Sequence, residues 1–146
     1  MGDYEGLNGI LVRLFHEIVM MEQKVVITPE FKDITNNDMH VIEAIGIAEP
    51  KNMTAIARKL SVTVGTLTIA MNSLVKKGYV ERTRGSEDRR VVYISLSEKG
   101  RGAYEHHARF HREMINSITS DLTEEELESL VRALSKLDRW FDNWGN

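Results

Sequence analysis

The 146-residue chain carries 19 Lys or Arg and 22 Asp or Glu, a net charge of −3, and it contains no cysteine. Its length is that of one domain, which can bury a core but would gain stability from dimerisation. The lack of cysteine excludes a disulfide framework, a thiolate nucleophile and a thiol redox sensor, and it fits a reducing cytoplasm. The N-terminus does not have the pattern of a signal peptide, and no stretch is apolar enough to span a bilayer. We therefore expect a cytoplasmic protein without membrane contact.

The charges are divided unevenly along the chain. Residues 51–101 contain 11 Lys or Arg against 4 Asp or Glu, a balance of +7, whereas the remainder carries −10. A cationic module inside an acidic frame is typical of a local nucleic-acid interface. The negative net charge therefore does not exclude DNA binding.

Hydrophobic periodicity predicts two helices in the N-terminal part of the chain. Apolar residues recur at spacings of three and four from Leu7 to Val25, and Pro29 prevents simple continuation of this first helix. Thr35 or Asn36 can cap a second helix, which ends near Gly46.

Residues 52–78 predict a helix-turn-helix. Asn52 and Thr63 stand where helix N-caps are preferred, and Gly78 stands where a helix C-terminus favours a left-handed residue. Only Ser61 and Val62 lie between the two helices, so the chain must turn sharply.

A hairpin with a cationic tip follows. Residues 79–84 and 91–94 have the β-branched and aromatic composition of strands, and the polar turn between them holds Asp88, Arg89 and Arg90. Such a short motif alone is more often an ordinary surface hairpin with solvated arginines. Its place directly after two short helices instead favours a wing, whose arginines reach a minor groove while the second helix enters a major groove.

Two further helices are predicted after the wing. Ser97 can cap a helix that runs to about Ser120, and Thr123 opens a capping box for a last helix whose apolar face extends from Leu127 to Trp144. The first and the last two helices carry more apolar surface than the helix-turn-helix and wing can cover. This favours a homodimer over a monomer in which every apolar helix face is folded inward. We predict a mainly α fold with a small β-wing, in which a winged helix-turn-helix (35–96) is embedded in a helical dimerisation domain (1–34 and 97–146).

Residues 52–100 resemble the core of the MarR family of bacterial transcriptional regulators. The matching elements are residues 74–82 (LVKKGYVER), the Asp88-x-Arg90 wing and residues 96–100 (LSEKG). Within that family the chain is most similar to the FabT-type repressors of fatty-acid synthesis, through residues 31–34 (FKDI), 39–40 (MH), 62–66 (VTVGT) and 109–111 (RFH). The resemblance implies a homodimeric repressor on a palindromic operator.

The second helix of the helix-turn-helix departs from the family in its chemistry. It holds no Arg or Lys before Lys76, whereas many family members carry a basic residue near Val64 or Ile69. Bidentate reading of guanine from within this helix is therefore excluded, while methyl contacts to thymine and an Asn72 contact to adenine remain open. We predict an A·T-leaning operator that is read largely through DNA shape and the wing.

In the wing we expect Arg90 to enter the minor groove, Asp88 to orient the turn, and Arg89 or Arg84 to touch phosphate. The full set of predicted DNA-binding residues is Thr63, Val64, Gly65, Thr66, Thr68, Ile69, Asn72, Arg82, Arg84, Asp88, Arg89 and Arg90.

The resemblance also implies a regulator of DNA binding, a long-chain acyl group presented by acyl carrier protein and acting as corepressor. The candidate lining residues are Ile18, Met21, Met39, Ile42, Phe110 and Met114. Methionine suits an adaptable apolar pocket, although at helical spacing it is more often a core residue. The alternatives are relief of repression by a small aromatic or other ligand, and a metal response through His107 and His111, which lie one helical turn apart without obvious further ligands.

Other function classes find less support. The chain has no HExxH, GxSxG, GxGxxG or Walker-type motif, so we expect neither an enzyme nor a cofactor, and we predict no metal site. A ligand-binding protein that had lost DNA binding would keep the helical frame but would not need the charge of +7 on residues 51–101.

Overall fold

The computed structural model describes residues 4–144, and it is mainly helical with one small sheet, as predicted. No described helix is both long enough and apolar enough to cross a membrane. The helices are α1 (Tyr4–Val26), α2 (Asn36–Ile45), α3 (Met53–Leu60), α4 (Val64–Lys77), α5 (Glu98–Thr119) and α6 (Glu124–Trp144), and the strands are β1 (Lys51–Asn52), β2 (Val80–Arg84) and β3 (Val92–Leu96).

The chain divides into two compact units, with the boundary between Ala108 and Arg109 inside α5. The first unit holds α1 to α4, the sheet and the first half of α5. The second unit holds the rest of α5 and α6.

The hydrophobic core lies in the first unit, where α2, α3, α4 and β3 pack together. Its fully buried side chains include Ile42, Ile56, Met71, Leu74 and Ile94. Burial of each such side chain contributes roughly 1.5–3 kcal/mol to folding. The helix-turn-helix therefore carries its own core.

The helix caps are those that the sequence predicted. Thr35 and Asp38 exchange side-chain and backbone hydrogen bonds at the start of α2. Asn52 accepts from the third backbone N–H of α3, Thr63 does the same for α4, and Thr123 opens α6 with its capping box. These bonds satisfy backbone donors that have no partner inside the helix, which sets where each helix begins.

The sheet contains a strand that the sequence analysis missed. Its order is β1-β3-β2, with β1 antiparallel to β3 and Lys51 opposite Ile94. The expectation that the wing hairpin contains all of the β structure was therefore wrong. A strand of two residues shows no alternation, and its partner lies about forty residues further along the chain, so no local pattern announces it.

The chain turns from α4 into β2 at Gly78 and Tyr79, which we call the 78–79 corner. Gly78 ends α4 with a φ of 87°, in the left-handed region that favours glycine. The ring of Tyr79 is fully buried, and its hydroxyl donates to Asp33 Oδ1 at 2.7 Å. That hydrogen bond lowers the pKa of the Asp33 carboxyl, while burial and the same carboxylate raise the pKa of the Tyr79 phenol.

The start of α5 docks on the same corner. The backbone N–H of Ser97 donates to the Tyr79 carbonyl at 3.0 Å, and the Ser97 hydroxyl donates to the Gly78 carbonyl at 2.5 Å. Lys99 Nζ lies 4.4 Å from the centroid of the Tyr79 ring and 3.2 Å from the Lys77 carbonyl. The ends of α4, β3 and α5 thus meet at one buried tyrosine.

Gly100 allows α5 to approach Tyr79 this closely. Its replacement tests how much the 78–79 corner contributes to stability. A Cβ at position 100 would lie 2.1 Å from the Tyr79 carbonyl oxygen, so backbone would have to move. We expect Gly100→Ala to lower the free energy of unfolding by about 1–3 kcal/mol or more through overpacking, measured by denaturant unfolding. Gly65→Ala is the matched control, since the nearest atom to its Cβ is 3.9 Å away, and it should leave stability unchanged or raise it. Equal stability of the two variants would contradict this assignment.

Candidate nucleic-acid interface

A sharp turn sets α4 across α3. Ser61 ends α3 in the left-handed conformation, with a φ of 54°, and the Val62 N–H donates back to the Ala57 carbonyl. Thr63 then caps α4. Because Leu67, Met71 and Leu74 bury one side of α4 in the core, the opposite side is directed outward.

The outward face of α4 carries apolar side chains that are exposed to solvent. Ile69 is 75% exposed and Val64 is 44% exposed. Gly65, Ile69 and Asn72 share one helical face, since they are four and three residues apart. Exposure of branched apolar side chains to water is unfavourable. The same side chains complement the methyl group of thymine in a major groove.

The threonine hydroxyls around this face are partly committed within the protein. Thr63 donates to the Thr66 hydroxyl at 2.9 Å, and Thr68 donates to the Val64 carbonyl at 2.8 Å. Thr66 accepts the first of these hydrogen bonds, and it lies at the exposed start of α4.

The tip of the wing is built around Asp88. Its Oδ1 accepts from the backbone N–H of Arg90 at 3.0 Å and from Arg90 Nε at 3.2 Å, and its Oδ2 accepts from Arg90 Nη2 at 3.3 Å. These bonds lower the pKa of the Asp88 carboxyl. Gly85 is required nearby, because a Cβ there would lie 2.6 Å from the Asp88 carbonyl oxygen. Asp88 thus holds both the turn and the guanidinium of Arg90.

The remaining wing arginines lie on the surface. Arg84 is the last residue of β2, Arg89 is at the tip, and both are exposed. Arg82, in the middle of β2, instead reaches α4 and donates through Nη2 to Asn72 Oδ1. Sequence analysis predicted both residues at the interface but missed this bond, which joins two different elements.

The candidate ligand-binding residues differ in burial and in the compact unit to which they belong. Met39 and Ile42 are 3% and 0% exposed, inside the core of the first unit. Ile18 and Met21 lie on the exposed side of α1. Phe110 and Met114 are half-buried and belong to the second unit.

The two histidines of the metal alternative also differ. His107 is buried, and its Nδ1 lies 2.6 Å from Glu43 Oε1 on α2. His111 is half-buried and belongs to the second unit. The close approach of its Nδ1 to Glu43 gives His107 a structural role in fastening α5 to α2.

Known proteins match this chain in both sequence and structure. The MarR family matches residues 34–92. The transcriptional regulator YwhA of Bacillus subtilis is 35% identical over 56% of this chain and 59% of its own length. The transcriptional regulator SarZ of Staphylococcus aureus is 31% identical over 76% of this chain and 74% of its own length.

A solved structure covers nearly the whole chain. FabT of Streptococcus pneumoniae, in a complex with DNA, superposes with a TM-score of 0.90 and 35% identity, covering 97% of this chain and 99% of that one. Its match extends across α4 and the wing. The chain belongs to the MarR family of winged helix-turn-helix transcriptional regulators, which bind DNA and are not enzymes, and within that family it is similar to FabT.

Proposed function

We propose that this regulator acts as a homodimeric repressor in the cytoplasm and binds a palindromic operator, with α4 in the major groove and the wing in the adjacent minor groove. The observation that carries the proposal is the pairing of an outward face on α4 with an arginine tip preorganised by Asp88. Preorganisation matters because a guanidinium already held in place loses less freedom when it binds.

Exposed apolar faces support the dimer. On α1, Leu7, Ile10 and Phe15 are each more than half exposed, and no residue of α6 is buried. The apolar side of α6 includes Leu137 at 43% and Phe141 at 66% exposure. A soluble monomer rarely leaves such stripes uncovered, and a two-fold copy would both cover them and match two half-sites one helical turn apart.

The side chains of α4 favour an operator rich in A·T base pairs. Val64 and Ile69 present methyl groups, and α4 offers no cation before Lys76. Thymine methyls and a narrow, electronegative minor groove are both features of A·T-rich DNA. We propose an A·T-leaning operator with Arg90 in the minor groove and Arg84 or Arg89 on phosphate.

The regulatory signal is proposed from the FabT likeness. We propose that a long-chain acyl group on acyl carrier protein strengthens operator binding and so represses genes of fatty-acid synthesis. A corepressor must bind the DNA-competent state more tightly than the other state, since equal affinity shifts nothing. Within the candidate set, Met39 and Ile42 are core residues of the first unit and are therefore poorly suited to a ligand. A small aromatic ligand or a metal bound through His107 and His111 is the alternative signal.

The wing is tested by Arg90→Ala. We expect a loss of about 1–3 kcal/mol in operator binding and a decrease of about one in the slope of log affinity against log salt, measured by mobility shift at several salt concentrations. Folding should be unaffected, because the Arg90 side chain is 91% exposed. Wild-type affinity in this variant would show that the wing does not contact the operator.

The dimer is tested by Leu137→Asp. If a second copy covers Leu137, a buried unpaired charge costs several kcal/mol, and sedimentation should show monomer or unfolded chain together with lost operator binding. Lys136→Asp on the same helix is the control and should remain dimeric. A Leu137→Asp protein that still sediments as a dimer with wild-type affinity would refute the proposed interface.

The acyl signal is tested by titrating acyl carrier protein with chains of increasing length against labelled operator. Each buried methylene contributes about 0.8 kcal/mol, so the response should increase with length until the pocket is full. Phe110→Arg should abolish the response and keep basal DNA affinity. Met39→Arg is unsuitable as a test because Met39 is a core residue. A flat response across chain lengths would remove the acyl corepressor from the proposal.

A further inference from the structure

One contact joins the wing to the outward face of α4. Arg82, on β2, donates from Nη2 to Asn72 Oδ1, and both side chains are exposed. Arginine has N–H donors and no acceptor, so the oxygen of the Asn72 amide must be the atom that faces it. The contact therefore fixes which way round the amide of Asn72 stands.

This orientation changes what Asn72 can read. Bidentate recognition of adenine needs an amide oxygen to accept from adenine N6 and an amide N–H to donate to N7. Arg82 takes one of the two lone pairs of that oxygen in this structure, so its guanidinium lies beside the amide. The N6 amino group of adenine would therefore have to approach Asn72 beside the guanidinium of Arg82 and share its amide oxygen.

Arg82 keeps N–H donors for a DNA base while it binds Asn72. The guanidinium has five N–H donors in a planar fork, and the bond to Asn72 uses one of them. The others suffice for a bidentate contact with guanine O6 and N7. Asn72 lies on the same helical face as Gly65 and Ile69, so a guanidinium held there supplies the cation that α4 itself lacks before Lys76.

We propose that Arg82 is a specificity-determining residue that reads one guanine in each operator half-site, with Asn72 as the residue that positions its guanidinium. The inference rests on the proposed placement of α4 in the major groove. It adds one G·C base pair at a fixed place in an otherwise A·T-leaning operator.

Selection from randomised DNA tests the proposal, followed by affinity measurements on single-base variants of the selected site. The wild-type protein should require guanine at one position in each half-site. Arg82→Lys keeps the positive charge but lacks the bidentate fork, so it should lose about tenfold or more of the discrimination at that position and keep the other preferences. Asn72→Ala should relax the same position, because the guanidinium is no longer held.

The double variant adds a further check. If Arg82 and Asn72 act through one contact, Arg82→Lys with Asn72→Ala should discriminate no worse than Arg82→Lys alone. Arg132→Lys, an exposed arginine on α6, is the matched control and should reproduce the wild-type selection. Circular dichroism of each variant checks that the fold is kept.

Several results would overturn the assignment. If Arg82→Lys kept every base preference, or if Arg82→Ala weakened binding equally to all sequences with a smaller salt slope, Arg82 would contact phosphate and not a base. A wild-type requirement for adenine at the position that Asn72→Ala relaxes would show that Asn72 reads the base without Arg82. In each case, salt-dependent operator binding that still depends on Arg90 would leave the proposed function intact.

Discussion

The buried ring of Tyr79 at the 78–79 corner is the constraint on which the arrangement of the first unit depends. Its hydroxyl binds Asp33 in the connector between α1 and α2, and its carbonyl receives Ser97 at the start of α5. Gly100 allows the backbone to approach so closely, and Gly78 adopts the left-handed conformation that ends α4. Two segments distant in sequence, the α1–α2 connector and the start of α5, are therefore tied to the residue that joins α4 to β2.

The corner also sets the relation between the two parts of the DNA-binding head. α4 ends at Lys77 and β2 begins at Val80, so the two residues between them fix the angle of the wing against the helix. The Arg82–Asn72 bond then adds a second link further along both elements. A rigid angle is useful in the proposed complex, where the helix and the wing reach adjacent grooves at the same time.

The other contacts tie α2 to its neighbours. Lys77 Nζ lies 2.8 Å from the buried carboxylate of Asp38, and His107 lies against Glu43. These contacts connect α2 with α4 and with the first half of α5, and removal of Lys77 would leave the charge of Asp38 with little access to water. A displacement of α2 would therefore also move α4.

The sequence by itself determined the elements whose bonds are local. The caps at Thr35, Asn52, Thr63 and Thr123, and the turn held by Asp88, all join residues at most three positions apart, so their pattern can be read directly. Residues 74–82, the Asp88-x-Arg90 wing and residues 96–100 likewise indicated the family from one continuous stretch, and the charge distribution indicated a nucleic-acid interface.

Only the tertiary structure decided the pairings that bring distant residues together. The pairing of β1 with β3, the bond from Arg82 to Asn72 and the contact of Tyr79 with Asp33 join residues from ten to more than forty positions apart. It also decided that Met39 and Ile42 are core residues, although the apolar pattern of α2 was equally compatible with a ligand pocket. Periodicity shows that one side of a helix avoids water, but the neighbouring elements decide what covers that side.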